Sequence, residues 1–176
     1  AQEVLEVASN APPPGGMGSP AWARAAMALA DAHWMRGETN QARAWDERLA
    51  SLSLPPVEAV RAAALFASHL GREETRLGLA RMARVSHLLP EVSSVIQAEF
   101  YCTRGRSRSR MLDDDGALED YQAALSLGPD PVTETTARYF RAMVLGLRGS
   151  DESYKEALRA VELARAHGLD RRQGEA

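Results

Sequence analysis

Apolar residues recur along this chain at intervals of three and four, in segments cut apart by glycine and proline. Segment 21–36 carries Trp22, Ala26, Leu29, Ala30, His33 and Trp34 on that spacing. Segment 57–70 carries Val60, Ala63, Ala64, Ala67 and Leu70. Such spacing winds one apolar stripe along a helix. No segment alternates with period two, and β-branched residues are sparse, so the pattern predicts helices and no sheet. The breakers are APPPGGMGSP, Gly37, Pro55 and Pro56, Gly71, Pro90, the run from Asp113 to Gly116, Gly128 to Pro131, Gly149 with Ser150, and Gly168. Between them lie segments of about 14 to 20 residues, a usual helix length. The reading is eight full helices in four antiparallel pairs, with a short further helix at the N-terminus. Connections within pairs are short, as helix hairpins require.

The pairs resemble one another. The second helix of each tends to open on a small residue, with a larger one four later and a small one three after that. Ala117, Tyr121 and Ala124 fit this pattern, as do Ala157, Val161 and Ala164, and Ala1, Leu5 and Ala8. Gly78, Met82 and Val85 nearly fit, and Ala42, Asp46 and Leu49 fit poorly. Spacing of four then three keeps these residues on one helix face, where small side chains let a neighbouring helix approach. Pro13, Pro90 and Pro129 each stand twelve residues after an opening small residue, where they would end the helix.

On these residues the chain resembles the tetratricopeptide repeat (TPR) family. The likeness is closest over 98–131, AEFYCTRGRSRSRMLDDDGALEDYQAALSLGPDP. Tyr101 stands at the family's aromatic site and Gly105 at its close-contact glycine. Ala117, Tyr121, Ala124, Leu125, Leu127 and Pro129 match its second helix and stop. Small residues open second helices at Ala1, Ala42, Gly78, Ala117 and Ala157. The units are thus longer than the family's 34 residues, and the loops must carry the surplus. Gly37, Gly71 and Gly149 match the family's turn glycine, and Leu112 with aspartates replaces it in the third unit. The resemblance implies an all-α, right-handed superhelix of about four hairpins, an α-solenoid. Repeat 1 would be 20–54, repeat 2 55–90, repeat 3 91–130 and repeat 4 131–168. Residues 1–19 would end a preceding repeat and carry a flexible loop, and 169–176 would enter a following one. The chain, which opens without an initiator methionine, reads as a window from a longer array whose repeats need stacked neighbours.

The stretch YCTRGRSRSRMLDDDGAL, 101–118, puts four arginines at every second position before three aspartates. In the repeat register, Arg104 to Arg110 close a first helix. Arg104 and Arg108 share one side, and Arg106 and Arg110 another, because residues four apart face each other. Cations favour a helix C-terminus, and anions such as Asp113, Asp114 and Asp115 favour the next helix start. Three readings stand: a solvated salt-bridged hairpin, a basic site for an acidic peptide, and a nucleic-acid contact.

Composition bears on the choice. The chain has 176 residues, 45% hydrophobic and 26% charged, with formal net charge −3, so it can bury a core and lacks the basic balance of a general polyanion binder. Lys155 is the only lysine among 21 basic residues, a bias expected of a GC-rich bacterial genome. Cys102 is the only cysteine, so no intramolecular disulfide forms, which fits a reducing cytoplasm. No apolar run approaches the roughly 18 residues of a membrane span.

The resemblance places a concave groove along the first helices. Its lining would be Arg24, Met27, Asp31, Trp34 and Met35 in the first unit, and Glu58, Arg61, Leu65, Ser68 and His69 in the second. Glu99, Cys102, Arg106, Ser109 and Arg110 would follow in the third, and Tyr139, Met143 and Leu147 in the fourth. The Lys/Asn pairs of the family's chaperone clamp have no match. No HExxH or paired Cys/His spacing joins His33, His69, His87 and His167, GGMGSP lacks the lysine of a P-loop, and GxSxG is absent. The expectation is therefore a protein–protein interaction scaffold in the cytoplasm. It would bind a protein or peptide, acidic in character, in its groove, with no catalysis, cofactor, metal or membrane contact and with nucleic acid disfavoured. The alternatives are a structural spacer or sensor arm of a multidomain bacterial regulator (kinase, ATPase or transcription factor), and a self-association module.

Overall fold

Ser19 and Pro20 show how this chain starts a helix. The Ser19 hydroxyl accepts the Trp22 N–H at 3.3 Å, and Pro20 takes the first helical position, where its missing N–H costs nothing. Asp130 and Pro131 repeat the device, the Asp130 carboxylate accepting from Val132 N, Thr133 N and the Thr133 hydroxyl.

The computed structural model describes residues 16–169. Among them are eight α-helices and no strand. The helices are α1 (Pro20–Met35), α2 (Thr39–Ala50), α3 (Pro56–His69), α4 (Thr75–Val85), α5 (Ser94–Arg110), α6 (Asp114–Ser126), α7 (Pro131–Leu147) and α8 (Glu152–Ala166). Short 3-10 turns cover Arg72–Glu74 and Ser86–Glu91. Pro90 lies inside the second of these turns, so α4 stops at Val85, ahead of the proline expected to end it. The expected N-terminal helix at Ala1, Leu5 and Ala8, most of the proline-rich insertion and the tail from Asp170 lie outside the described residues.

The chain divides into two units between Val92 and Ser93. In the first, α1 pairs with α2 and α3 with α4, and both α1 and α2 pack on α3. One core here joins Trp22, Ala23, Ala26, Met27, Leu49 and Ala62. In the second, α5 pairs with α6 and α7 with α8, while α7 also packs on α5 and α6. Its core joins Ala98, Cys102, Ala117, Tyr121, Ala124, Ala137 and Val144.

The small-large-small stripe is buried in three of the four second helices. Ala117, Tyr121 and Ala124 are fully buried, and Ala42, Asp46 and Leu49 nearly so despite the charge on Asp46. Gly78 and Met82 are also buried. A methyl on Gly78 would stand 3.1 Å from Ala67, and one on Gly105 would stand 2.7 Å from the Tyr121 ring. In α8 the register shifts. Ala160 and Leu163 are buried, whereas Val161 is 45% exposed, because α8 turns the former pair toward α7.

Three hairpin turns share one geometry. After α1, Gly37 N–H reaches Trp34 O and Glu38 N–H reaches His33 O. After α7, Gly149 and Ser150 bond Gly146 and Leu145 in the same way, and after α5 Leu112 and Asp113 bond Ser109 and Arg108. Each is a Schellman stop with a left-handed residue just past the cap, with φ of 76° at Gly37, 70° at Gly149 and 63° at Leu112. Gly71 departs from this set: its φ is −69° and it precedes the Arg72–Glu74 turn.

Candidate functional site

The alternating arginines lie on the last two turns of α5, where they split into two classes. Arg104 turns toward α6. Its Nε and Nη2 bond both oxygens of Asp120, at 2.9 Å to Oδ2 and 2.6 Å to Oδ1. Its guanidinium also lies 5.0 Å from the Tyr101 ring centre. Its hydrogen bonds to Asp120 outweigh burial and raise the Arg104 pKa further. Arg108 follows one turn later, with Nη1 3.2 Å from Asp120 Oδ2 and donating to Gly116 O at 3.0 Å. Asp120 is 2% exposed, so this is a buried carboxylate held by two cations. The partner of Arg104 is thus Asp120, and only Asp113 of the three aspartates contributes, 3.6 Å from Arg108. Asp114 and Asp115 instead face Arg148, past the end of α7.

Arg106 turns toward α7. Its guanidinium sits 4.7 Å from the Phe140 ring centre, and no carboxylate pairs with it among the described residues. Arg110 is half-buried on the same side of α5, and burial first, then the like charge of Arg106, lowers its pKa. Phe140 lies three residues before Met143 and seven before Leu147, one side of α7, and its ring meets Tyr139 edge to face at 5.1 Å. Tyr139 and Met143 are about half exposed and Leu147 is 81% exposed. The α5/α7 face thus gathers Arg106, Arg110, Tyr139, Met143 and Leu147, with half-buried Ser109 on the same helix turn as Arg106 and Arg110. Cys102 is a correction: it is 5% exposed, a core residue whose thiol burial pushes up to about 12, and it offers nothing to a partner. Glu99 is half-buried.

In the first unit the named residues of α1 and α3 come together in pairs. Arg24 Nη1 donates to the buried Glu58 carboxylate at 3.0 Å. Asp31 lies 3.4 Å from His69 Nε2, and Trp34 stacks on the His69 ring at 5.1 Å and 20°. Met35 and Arg61 are exposed, Leu65 is half-buried against the core, and the Ser68 hydroxyl returns to Leu65 O. Met27 is a second correction, since it is buried in the first unit's core.

Two groups escaped the sequence reading. Asp120, next to Tyr121 on α6, drew no attention in the sequence. Asp46 spoiled the stripe of α2, and that misfit was the available signal of a buried carboxylate. Its Oδ2 lies 3.2 Å from His69 Nδ1, and Arg81 donates to its backbone oxygen at 3.1 Å. Burial opposes a charged His69, but the bonds and charge of Asp46, then Asp31, outweigh it and raise its pKa. Among the described residues no group of three His, Cys, Asp or Glu side chains is placed to hold a metal ion, and no helix is long and apolar enough to cross a membrane. No family model, curated protein or solved structure matches the chain.

Proposed function

We propose that the chain is a protein–protein interaction module of tetratricopeptide-repeat type, working in the cytoplasm, and that the α5/α7 face receives an acidic peptide segment of a partner. The observation that carries this is Arg106. Its guanidinium is held over Phe140 with no carboxylate partner among the described residues, beside exposed Tyr139, Met143 and Leu147. Fixed guanidinium groups bind carboxylates in two-point fashion, and exposed aromatic and methionine side chains are what interfaces gather. The reading is one of binding, not catalysis. Arg104 and Arg108 belong to the scaffold, because Asp120 consumes them.

The test is a peptide array of acidic, aromatic-containing segments against the labelled chain. Acidic members should bind, neutral versions with Asn and Gln should not, and binding should weaken with salt, since surface charge pairs are screened over about 8–10 Å. Equal binding of the neutral set would refute the assignment.

Self-association is a second reading, favoured by α8. Tyr154, Leu158 and Val161 stand at four- and three-residue spacing and are 73%, 47% and 45% exposed. On α6 the equivalent Leu118 and Tyr121 are partly and fully buried in the core that α7 helps to form. Sedimentation velocity of the chain and of Leu158→Glu separates the two: a concentration-dependent dimer lost in the variant supports self-association.

A further inference from the structure

The stripe of α2 carries Ala42, Asp46 and Leu49 where that of α6 carries Ala117, Tyr121 and Ala124. Tyr121 is fully buried, its ring closed against Gly105. Asp46 holds the matching place in the first unit with a smaller side chain, and a cavity of about 210 Å³ borders it. Leu49, Leu52, Leu54, Ala59, Ala62 and Val85 line this cavity, with Arg81 and Arg84 of α4. Folded interiors leave few voids larger than a water molecule, and this space falls below the usual range for drug-sized ligands. A small occupant with an apolar body suits it.

The charged groups at the cavity differ in availability. The Asp46 side chain is 2% exposed, so it forms wall and presents no accessible carboxylate. Arg81 is engaged: it donates to the Asp46 backbone oxygen at 3.1 Å, and its guanidinium lies 3.5 Å from the Phe66 ring centre. Burial, with the like charge of Arg84, lowers the Arg81 pKa against the pull of Asp46 and Glu47. Arg84 stands three residues on, on the same side of α4. It is exposed, and no carboxylate pairs with it among the described residues. The cavity thus joins an apolar lining to an available guanidinium, a group that binds carboxylates through charge-assisted hydrogen bonds.

We propose that this cavity binds a small aliphatic carboxylic acid as its anion, with the alkyl chain against Leu49, Leu52, Leu54 and Val85 and the carboxylate at Arg84. The site belongs to the first unit alone and does not depend on the acidic-peptide reading.

The experiment follows the methyl signals of Leu52, Leu54 and Val85 in the full 176-residue chain, with Val144 and Leu163 of the second unit as references. The titrants are hexanoate, 1-hexanol, hexylammonium and acetate. Hexanoate should shift the three signals, hexanol should bind about fivefold more weakly, and hexylammonium and acetate should leave them in place. Ala59→Leu, which fills the cavity, should weaken hexanoate binding at least about tenfold. Arg84→Gln alters an exposed residue and should weaken hexanoate about fivefold while leaving hexanol unchanged. Acetyl-Gly-Leu, whose last residue offers a similar chain and carboxylate, should bind no more tightly than hexanoate, and tighter binding would overturn the assignment to a free acid. Signals that hexanoate does not move, or hexanol or hexylammonium bound as tightly as hexanoate, overturn the proposal. So does unchanged hexanoate affinity in Ala59→Leu, or an Arg84→Gln that leaves hexanoate unchanged or weakens hexanol equally. Should Ala59→Leu fail to fold, Arg84→Gln decides.

Discussion

Arg104 grips Asp120 through both carboxylate oxygens, tying the end of α5 to the middle of α6. With Arg108 on the same carboxylate, this pair accounts for two of the four alternating arginines. Breaking a buried ion pair from one side costs about 3–5 kcal/mol. Arg108 stays beside Asp120 and Arg104 is partly exposed, so Arg104→Ala should cost less, about 2–3 kcal/mol. Arg106→Ala should stay within about 0.5 kcal/mol. Urea denaturation of the two variants checks this, and similar midpoints would remove the division of labour among the arginines.

Gly105 faces the Tyr121 ring with no room for a methyl. Gly105→Ala should therefore destabilise the chain by about 1–3 kcal/mol through overpacking. The Tyr121 hydroxyl is buried with no partner among the described residues, and burial raises its pKa. Tyr121→Phe removes a polar atom that gains nothing from its position, so it should be neutral or stabilise by up to about 1 kcal/mol. A loss of several kcal/mol in Tyr121→Phe would mean that the hydroxyl has a partner.

Leu112 holds φ of 63° where the equivalent turns use Gly37 and Gly149. A left-handed residue with a Cβ costs roughly 1–2 kcal/mol, and glycine returns part of that gain as unfolded-state entropy. The side chain is mostly exposed, so little packing is lost. Leu112→Gly should raise stability by about 0.5–1 kcal/mol, read as a higher melting temperature. A lower one would show that the leucine makes a contact that matters.

His69 bridges Asp31, Asp46 and the Trp34 ring, and its folded pKa lies above the usual 6.5. A raised folded pKa means that the native state binds the proton more tightly than the unfolded chain. The stabilisation is then complete below pH 6.5 and is lost as pH rises through the folded value. The stability difference between wild type and His69→Gln should shrink as pH rises above about 6.5. A difference that grows over that range would reverse the assignment.

The helices and their hairpin order were legible because apolar spacing and Gly/Pro stops report local geometry directly. The stripe Ala117, Tyr121 and Ala124 was legible for the same reason. The direction of the arginines was half legible: four-residue spacing separates Arg104 and Arg108 from Arg106 and Arg110, but nothing local marks Asp120 as buried. A charged residue placed on the inner face by tertiary packing, such as Asp120, looks identical in sequence to a solvated one, and only its place in the stripe of α2 marked Asp46. Met27 and Cys102 failed for the opposite reason. They lie on the helices expected of them, but packing buries them in the two cores, and helical period alone does not say how deeply a residue is buried.

The most direct measurement of the central claim is calorimetry with the strongest acidic peptide from the array, at two salt concentrations, on wild type, Arg106→Glu/Arg110→Glu and the exposed control Arg159→Glu/Arg165→Glu. The account predicts that the first double variant keeps its helical spectrum and loses at least about tenfold in affinity, that the control binds like wild type, and that salt weakens the wild-type complex. Equal losses in both double variants, or an affinity indifferent to salt, would contradict it and leave Arg106 and Arg110 with no part in binding.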